Sequence, residues 1–169
     1  LPLLDQPCPV ERMSAVYALG RNPCPSAVQK LVSLLETDDN AYVRRATAWS
    51  LANYDNQIVL KPLINALKND VAAVRLWSSS SLAEIGNVSS KNAELAAEQL
   101  LISLKIDNES GVRSNCIWSL CRLFEKLDNT FQECFVDECT KIALFDKEPS
   151  VMEEAKTALD SMGMQGFYN

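Results

Sequence analysis

Apolar positions recur along this chain in a phrase repeated four times and fading in a fifth copy. It reads Glu11-Arg12-x6-Leu19, Val43-Arg44-x6-Leu51, Val74-Arg75-x6-Leu82, Val112-Arg113-x6-Leu120 and Val151-Met152-x6-Leu159. The leucines lie 32, 31, 38 and 39 residues apart. Units of this length bury their apolar faces only by stacking on one another, so the period predicts a solenoid of helical pairs. Within the phrase the apolar and small positions keep a helical period: Val43, Thr47, Ser50 and Leu51; Val74, Ser78, Ser81 and Leu82; Val112, Cys116, Ser119 and Leu120. A second stripe follows each phrase, through Val28, Leu31 and Leu35, then Leu60, Leu63 and Leu67, then Ala97, Leu100 and Leu104. Each unit therefore reads as a first helix carrying the phrase, a short turn, a second helix, and a turn into the next unit.

The turns hold helix breakers: Asn22-Pro23, Asp38-Asp39-Asn40, Asp55-Asn56, Gly86-Asn87 and Glu148-Pro149. Helices are predicted near 10–20, 25–36, 41–54, 57–68, 71–86, 92–105, 110–127, 130–145 and 149–162. All of 1–169 reads as one domain, with repeats near 10–36, 40–68, 70–105, 108–145 and 148–162 and a tail at 163–169. The longer third and fourth repeats predict extended turns or helix ends around Ser89-Ser90 and Leu127-Asp128-Asn129. Pro62 bends its helix unless it lies in the first turn. Residues 1–9 read as a loose lead or the end of a lost helix, and a start at Leu1 fits a trimmed chain or a piece of a longer repeat protein.

Composition narrows the function. There is no histidine among the 169 residues, which removes the usual neutral-pH base, the Ser-His and Cys-His nucleophile pairs and most catalytic zinc sites. The expectation leans to a non-enzyme with no catalytic and no metal residues. No apolar run is long enough to span a bilayer. Net charge is −6. Residues 1–85 carry eight basic and eight acidic side chains, and residues 86–169 carry eight and fourteen. An acidic half repels phosphate, so nucleic acid is excluded as a partner and a cationic protein surface is favoured.

Of the six cysteines, Cys116 shares a repeat column with Ala15, Thr47, Ser78 and Ala155. Cys121 shares one with Gly20, Ala52, Ala83 and Asp160. Small residues fill these columns where helices approach closely, and a free cysteine serves there as a small hydrophobe. The pairs Cys116-x4-Cys121 and Cys134-x4-Cys139 point about 140° apart on a helix, which disfavours chelation. The expectation is free, mostly buried thiols in a reducing compartment, the cytoplasm or a plastid stroma.

The motif Asp39-x3-Val43-Arg44-x-Ala46-x-Ala48-x2-Leu51, preceded by Leu31-x3-Leu35, resembles a HEAT repeat. Asp70-x3-Val74-Arg75 and Lys61-Pro62-Leu63-Ile64-Asn65-Ala66-Leu67 fit it too. The short period is similar to the HEAT-like repeat of phycobilisome lyases, which occurs also in phycobilisome-degradation factors and in many unrelated scaffold proteins. The resemblance implies an all-α, α-solenoid fold, a right-handed superhelix of about five helical hairpins. It also implies a ladder in which each Arg reaches the acidic residue of a neighbouring repeat, built from Asp39, Arg44, Asp70, Arg75, Asp107 and Arg113. The same acids, ahead of each first helix, are expected to cap its free amides. In solenoids of this type the second helices are expected to line the concave side, here with Gln29, Ser33, Lys61, Asn65, Glu98, Gln132, Glu133 and Asp137.

Tyr17, Trp49 and Trp118 share one column, and Trp77 stands elsewhere. Each either packs between first helices or forms an exposed binding patch. The functional expectation is a scaffold or assembly factor that binds another protein, a phycobiliprotein or a second HEAT-like subunit among them, with no cofactor. The alternative is a cyanobacterial or plastid phycobilin lyase subunit or phycobiliprotein chaperone that binds a bilin transiently. Arg side chains would then pair with propionates and Trp faces stack on the rings, with no spacing that recommends Glu84 or Glu125 for the pyrrole nitrogens.

Overall fold

The computed structural model describes residues 2–55 and 57–164, so most of the expected 163–169 tail lies outside the described residues. Described residues form helices and turns only. The α-helices are α1 (Pro9–Arg21), α2 (Val28–Thr37), α3 (Ala41–Leu51), α4 (Leu60–Asn69), α5 (Ala72–Gly86), α6 (Ser90–Ile106), α7 (Ser110–Leu123), α8 (Asn129–Phe145) and α9 (Pro149–Ser161). Four short 3-10 turns complete the path: Pro2–Asp5, Pro25–Ala27, Gln57–Val59 and Phe124–Lys126. Odd-numbered helices carry the recurring phrase and even-numbered ones the second stripe. This is an α-solenoid of two layers.

Local chemistry sets the helix starts. The Asn40 side chain accepts from the amides of Tyr42 and Val43 at 2.9 and 3.3 Å and caps α3. Ser89 caps α6 and Asp128 caps α8 in the same way. Prolines open α1 and α9, where a missing donor costs nothing. Pro62 is the third residue of α4, so it too lies in a first turn and breaks no helical bond. The extra length of the third and fourth repeats is helix rather than turn: α6 and α8 have 17 residues each, against 10 in α2 and α4.

The core is a slab between the layers. Val43, Leu51, Val74, Leu82, Val112, Leu120, Val151 and Leu159 are all buried beneath the phrase helices. Leu31, Leu63, Leu67, Leu100, Leu104 and Phe135 meet them from the other layer. Burying a leucine or phenylalanine side chain contributes about 1.5–3 kcal/mol, and the repeat supplies such residues on both sides of the slab.

The two layers pack differently. Successive phrase helices touch along their lengths, α1 on α3, α3 on α5, α5 on α7 and α7 on α9, whereas the even-numbered helices meet one another sparsely. Small residues allow the close approach. Ser81 donates to the Ala48 carbonyl at 2.7 Å, and Ser119 donates to the Ser79 carbonyl at 2.7 Å. A β-carbon at Gly20 would run into the Trp49 indole. The phrase helices are thus the closely packed layer, called the inner layer below, and the even-numbered helices form the outer layer.

Candidate partner-binding face

One edge of the stack is held by a ladder of arginine–aspartate pairs. Arg12 donates to Asp38 at 2.8 and 3.0 Å, and Arg44 to Asp70 at 2.9 and 2.8 Å. Arg75 donates to Asp107 at 2.8 and 2.9 Å, and Arg113 to Asp146 at 3.0 and 2.7 Å. Each pair is bidentate, the geometry that a planar guanidinium and a carboxylate share. The remaining nitrogen of each Arg donates backwards to main-chain carbonyls of its own turn: Gln6 and Pro7, Asp38 and Asp39, Asp70, and Asp107 and Asn108. One side chain thus joins its own turn to the next repeat.

Asp38, not Asp39, is the first rung's acid. Asp39 is exposed and offers Arg44 only its carbonyl, at 3.3 Å. Arg12 and Asp146 belong to the same series, although the expected ladder omitted them. The signal was present in part, because Asp38, Asp107 and Asp146 each stand five residues before the phrase valine. The acids do not cap the phrase helices as expected. Asp38, Asp107 and Asp146 instead accept from the amide two residues on, at 2.9, 3.0 and 2.9 Å, and Asp70 from the next amide at 2.7 Å. They brace the turns.

Burial alone would raise the pKa of Asp38, Asp107 and Asp146. The arginine hydrogen bonds, the turn amides and the neighbouring positive charge outweigh it and hold these carboxyls below the usual value. Hydrogen bonds to Asp38, Asp70 and Asp107 in turn raise Arg12, Arg44 and Arg75.

The inner layer carries Tyr17, Trp49, Trp77 and Trp118, and the structure divides them. Trp49 is half-buried against Gly20, with Tyr17 at a ring-centroid distance of 5.4 Å and a tilt of 54°. These two join α1 to α3. Trp77 and Trp118 stay exposed, at 38% and 41%. Tyr42 is exposed beneath the Arg45 guanidinium, 5.3 Å from its ring centroid. Arg45 Nε is buried and unpartnered. Trp118 carries Arg122 at 5.0 Å, and Arg122 donates to Glu84 at 2.9 Å. A recess of about 290 Å³ opens beside Trp118, lined also by Ser80, Ser114, Asn115 and Glu154. No periodic signal singled out these last four, because they fall in columns whose occupants differ from repeat to repeat.

The outer layer offers two crevices between the spread even-numbered helices. One, of about 810 Å³, lies between α2 and α4 and reaches Asn65, Arg44 and Arg75. The other, of about 450 Å³, lies between α4 and α6 and reaches Gln99, Ile102 and Ile106. Of the residues expected to face a partner from this layer, Gln29, Ser33, Lys61, Asn65, Glu98, Glu133 and Asp137 are exposed. Gln132 is tied to the Phe124 carbonyl at 2.8 Å.

The thiols are free, but fewer are buried than expected. Cys116 and Cys139 are buried, Cys24 and Cys121 are intermediate, and Cys8 and Cys134 are exposed. No group of three or more metal-ligating side chains forms among the described residues. No described helix is long and apolar enough to cross a membrane.

The sequence profile for HEAT repeats matches residues 1–83 and, in an overlapping match, 28–121. No curated protein matches the chain. Among solved structures it is similar to a designed armadillo repeat protein in complex with the peptide (KR)4, with a TM-score of 0.66 and 19% identity over 99% of this chain and 84% of that one. An engineered protein from a structural-genomics programme gives 0.68 and 20% over 95% and 76%. A second designed armadillo repeat protein gives 0.64 and 20% over 95% and 79%. At these identities the likeness establishes the fold.

Proposed function

Because this chain belongs to the HEAT-repeat family, we propose that it is a non-enzymatic protein-binding scaffold or assembly factor that holds its partner along the inner layer. The carrying observation is that Trp77, Trp118 and Tyr42 remain exposed on helices whose other large apolar residues are mostly buried. Trp and Tyr provide much contact area at little entropic cost and dominate binding interfaces. The designed neighbour solved with (KR)4 supports a polypeptide ligand. The free thiols suit a reducing compartment, the cytoplasm or a plastid stroma. The test is a peptide array of mixed composition, with hydrogen exchange on the strongest binders. Protection of α5 and α7, with affinity lost in Trp77→Ala or Trp118→Ala at unchanged melting temperature, is the expected result. Binding that both variants retain overturns the reading.

Arg45 favours a second reading, a phycobilin lyase subunit or a phycobiliprotein-handling chaperone. Its Nε has no partner and its guanidinium lies over Tyr42, an arrangement that suits a carboxylate on a conjugated ligand such as a bilin propionate. Phycocyanobilin should then change its visible spectrum with the parent chain and not with Arg45→Ala. An unchanged spectrum with the parent removes this reading.

A further inference from the structure

We propose that the recess between α5, α7 and α9 receives the cationic side chain, lysine or arginine, of the bound polypeptide. The inference rests on the protein-binding reading and supplies the chemistry that the partner must present. The recess holds about 290 Å³, the volume of roughly ten waters, so a long side chain fits.

Two of its polar groups, Asn115 and Ser80, have spent their donors. Asn115 Nδ2 gives both hydrogens inward, to the Leu76 carbonyl at 3.0 Å and to Ser80 Oγ. The amide orientation thus turns Asn115 Oδ1 into a free acceptor beside the recess. Glu154 adds a carboxylate that forms no ion pair among the described residues. The nearby cations are committed elsewhere, Lys156 to Glu153 at 3.8 Å and Arg122 to Glu84 at 2.9 Å. Trp118 supplies an aromatic wall, and the stacked Arg122 steadies it.

Acceptors, one unpaired negative charge and an indole together favour an ammonium or guanidinium over any other common side chain. An anion would meet Glu154, and an apolar group would strand the free acceptors. The wider field agrees in sign, since residues 86–169 carry fourteen acidic and eight basic side chains.

The probe is a blocked octapeptide of alternating Lys and Arg, with an all-Gln octapeptide beside it, titrated calorimetrically against the full chain. Glu154→Gln should weaken the cationic peptide about tenfold, the loss of one charge-assisted contact. Glu98→Gln removes the same charge from an exposed site on the outer layer and should leave affinity within about twofold. N-acetyl-arginine amide at millimolar concentration should shift the Trp118 indole resonance in the parent and not in Glu154→Gln. Circular dichroism confirms that both variants fold. Equal losses in the two Glu variants, or none in either, overturn the inference. If array peptides bind the inner layer while the cationic octapeptide does not, the recess assignment falls and the scaffold reading stands. If no peptide binds at all, both fall.

Discussion

Arg75 in α5 and Asp107 at the end of α6 are 32 residues apart in sequence and joined by two hydrogen bonds of 2.8 and 2.9 Å. The same guanidinium holds the Asp70 carbonyl at 2.9 Å. Arg75→Ala therefore removes three bonds and leaves a largely buried carboxylate without its counter-charge. The expected cost is about 2–4 kcal/mol, which lowers the melting temperature by roughly 5–10 °C for a chain of this size. Peptide affinity should not change. A variant as stable as the parent that no longer binds would mean that the arginine serves the partner rather than the stack.

The ladder also makes stability depend on acid. Asp38, Asp107 and Asp146 have folded pKa values below the ordinary 3.8. Below that value the unfolded chain binds more protons than the folded one, so stability falls as pH falls. The contribution is complete above about pH 4 and is lost as pH drops through the folded values. Urea titrations at pH 6, 4 and 3 should show a plateau and then a decline. Arg75→Ala should decline less, because its Asp107 no longer differs as much between the two states.

Two tryptophans of one column should behave oppositely. Trp49 fills the space between α1 and α3, so Trp49→Ala opens a cavity and costs about 3–5 kcal/mol. Trp118 is 41% exposed, and Trp118→Ala should cost under about 1 kcal/mol while weakening peptide binding by about 1–4 kcal/mol. Thermal melts and calorimetry on the same two variants separate the roles.

Gly20→Ala tests the close approach from the other side. The added methyl collides with the Trp49 ring, and overpacking of this kind costs about 1–3 kcal/mol. The double variant Gly20→Ala with Trp49→Phe should recover part of the loss. Strictly additive losses in denaturant titrations would show that the two residues do not share that space.

Thiol reactivity should follow burial. Burial pushes Cys121 up to about 11 and raises Cys116 and Cys139 as well. Cys8 and Cys134 are exposed, so they should react first with a disulfide reagent at pH 8. Cys116 and Cys139 should react only after denaturant is added, bringing the total to six.

The helices, their pairing and the arginine positions were legible in the chain, because each helix rests on interactions within about four residues and the pairing and the arginines recur from copy to copy. Val43, Val74 and Val112 announce their helices by period alone. The acid of the first rung was legible only in part, because spacing to the phrase valine groups Asp38 with Asp107 and Asp146 but Asp39 with Asp70. Asp38 and Asp39 are adjacent and alike, and only the reach of Arg12 across α2 selects the former. Nor did spacing reveal which layer packs more closely, since that depends on how near small residues such as Gly20, Ser81 and Ser119 let whole helices approach. The fate of Trp49 and Trp118 was decided in the same way: they occupy one column, but Trp49 meets a neighbouring glycine and Trp118 an open recess. Local periodicity determines what a repeat is. What a given side chain touches depends on the differing residues of the repeats beside it, and only the tertiary structure brings those together.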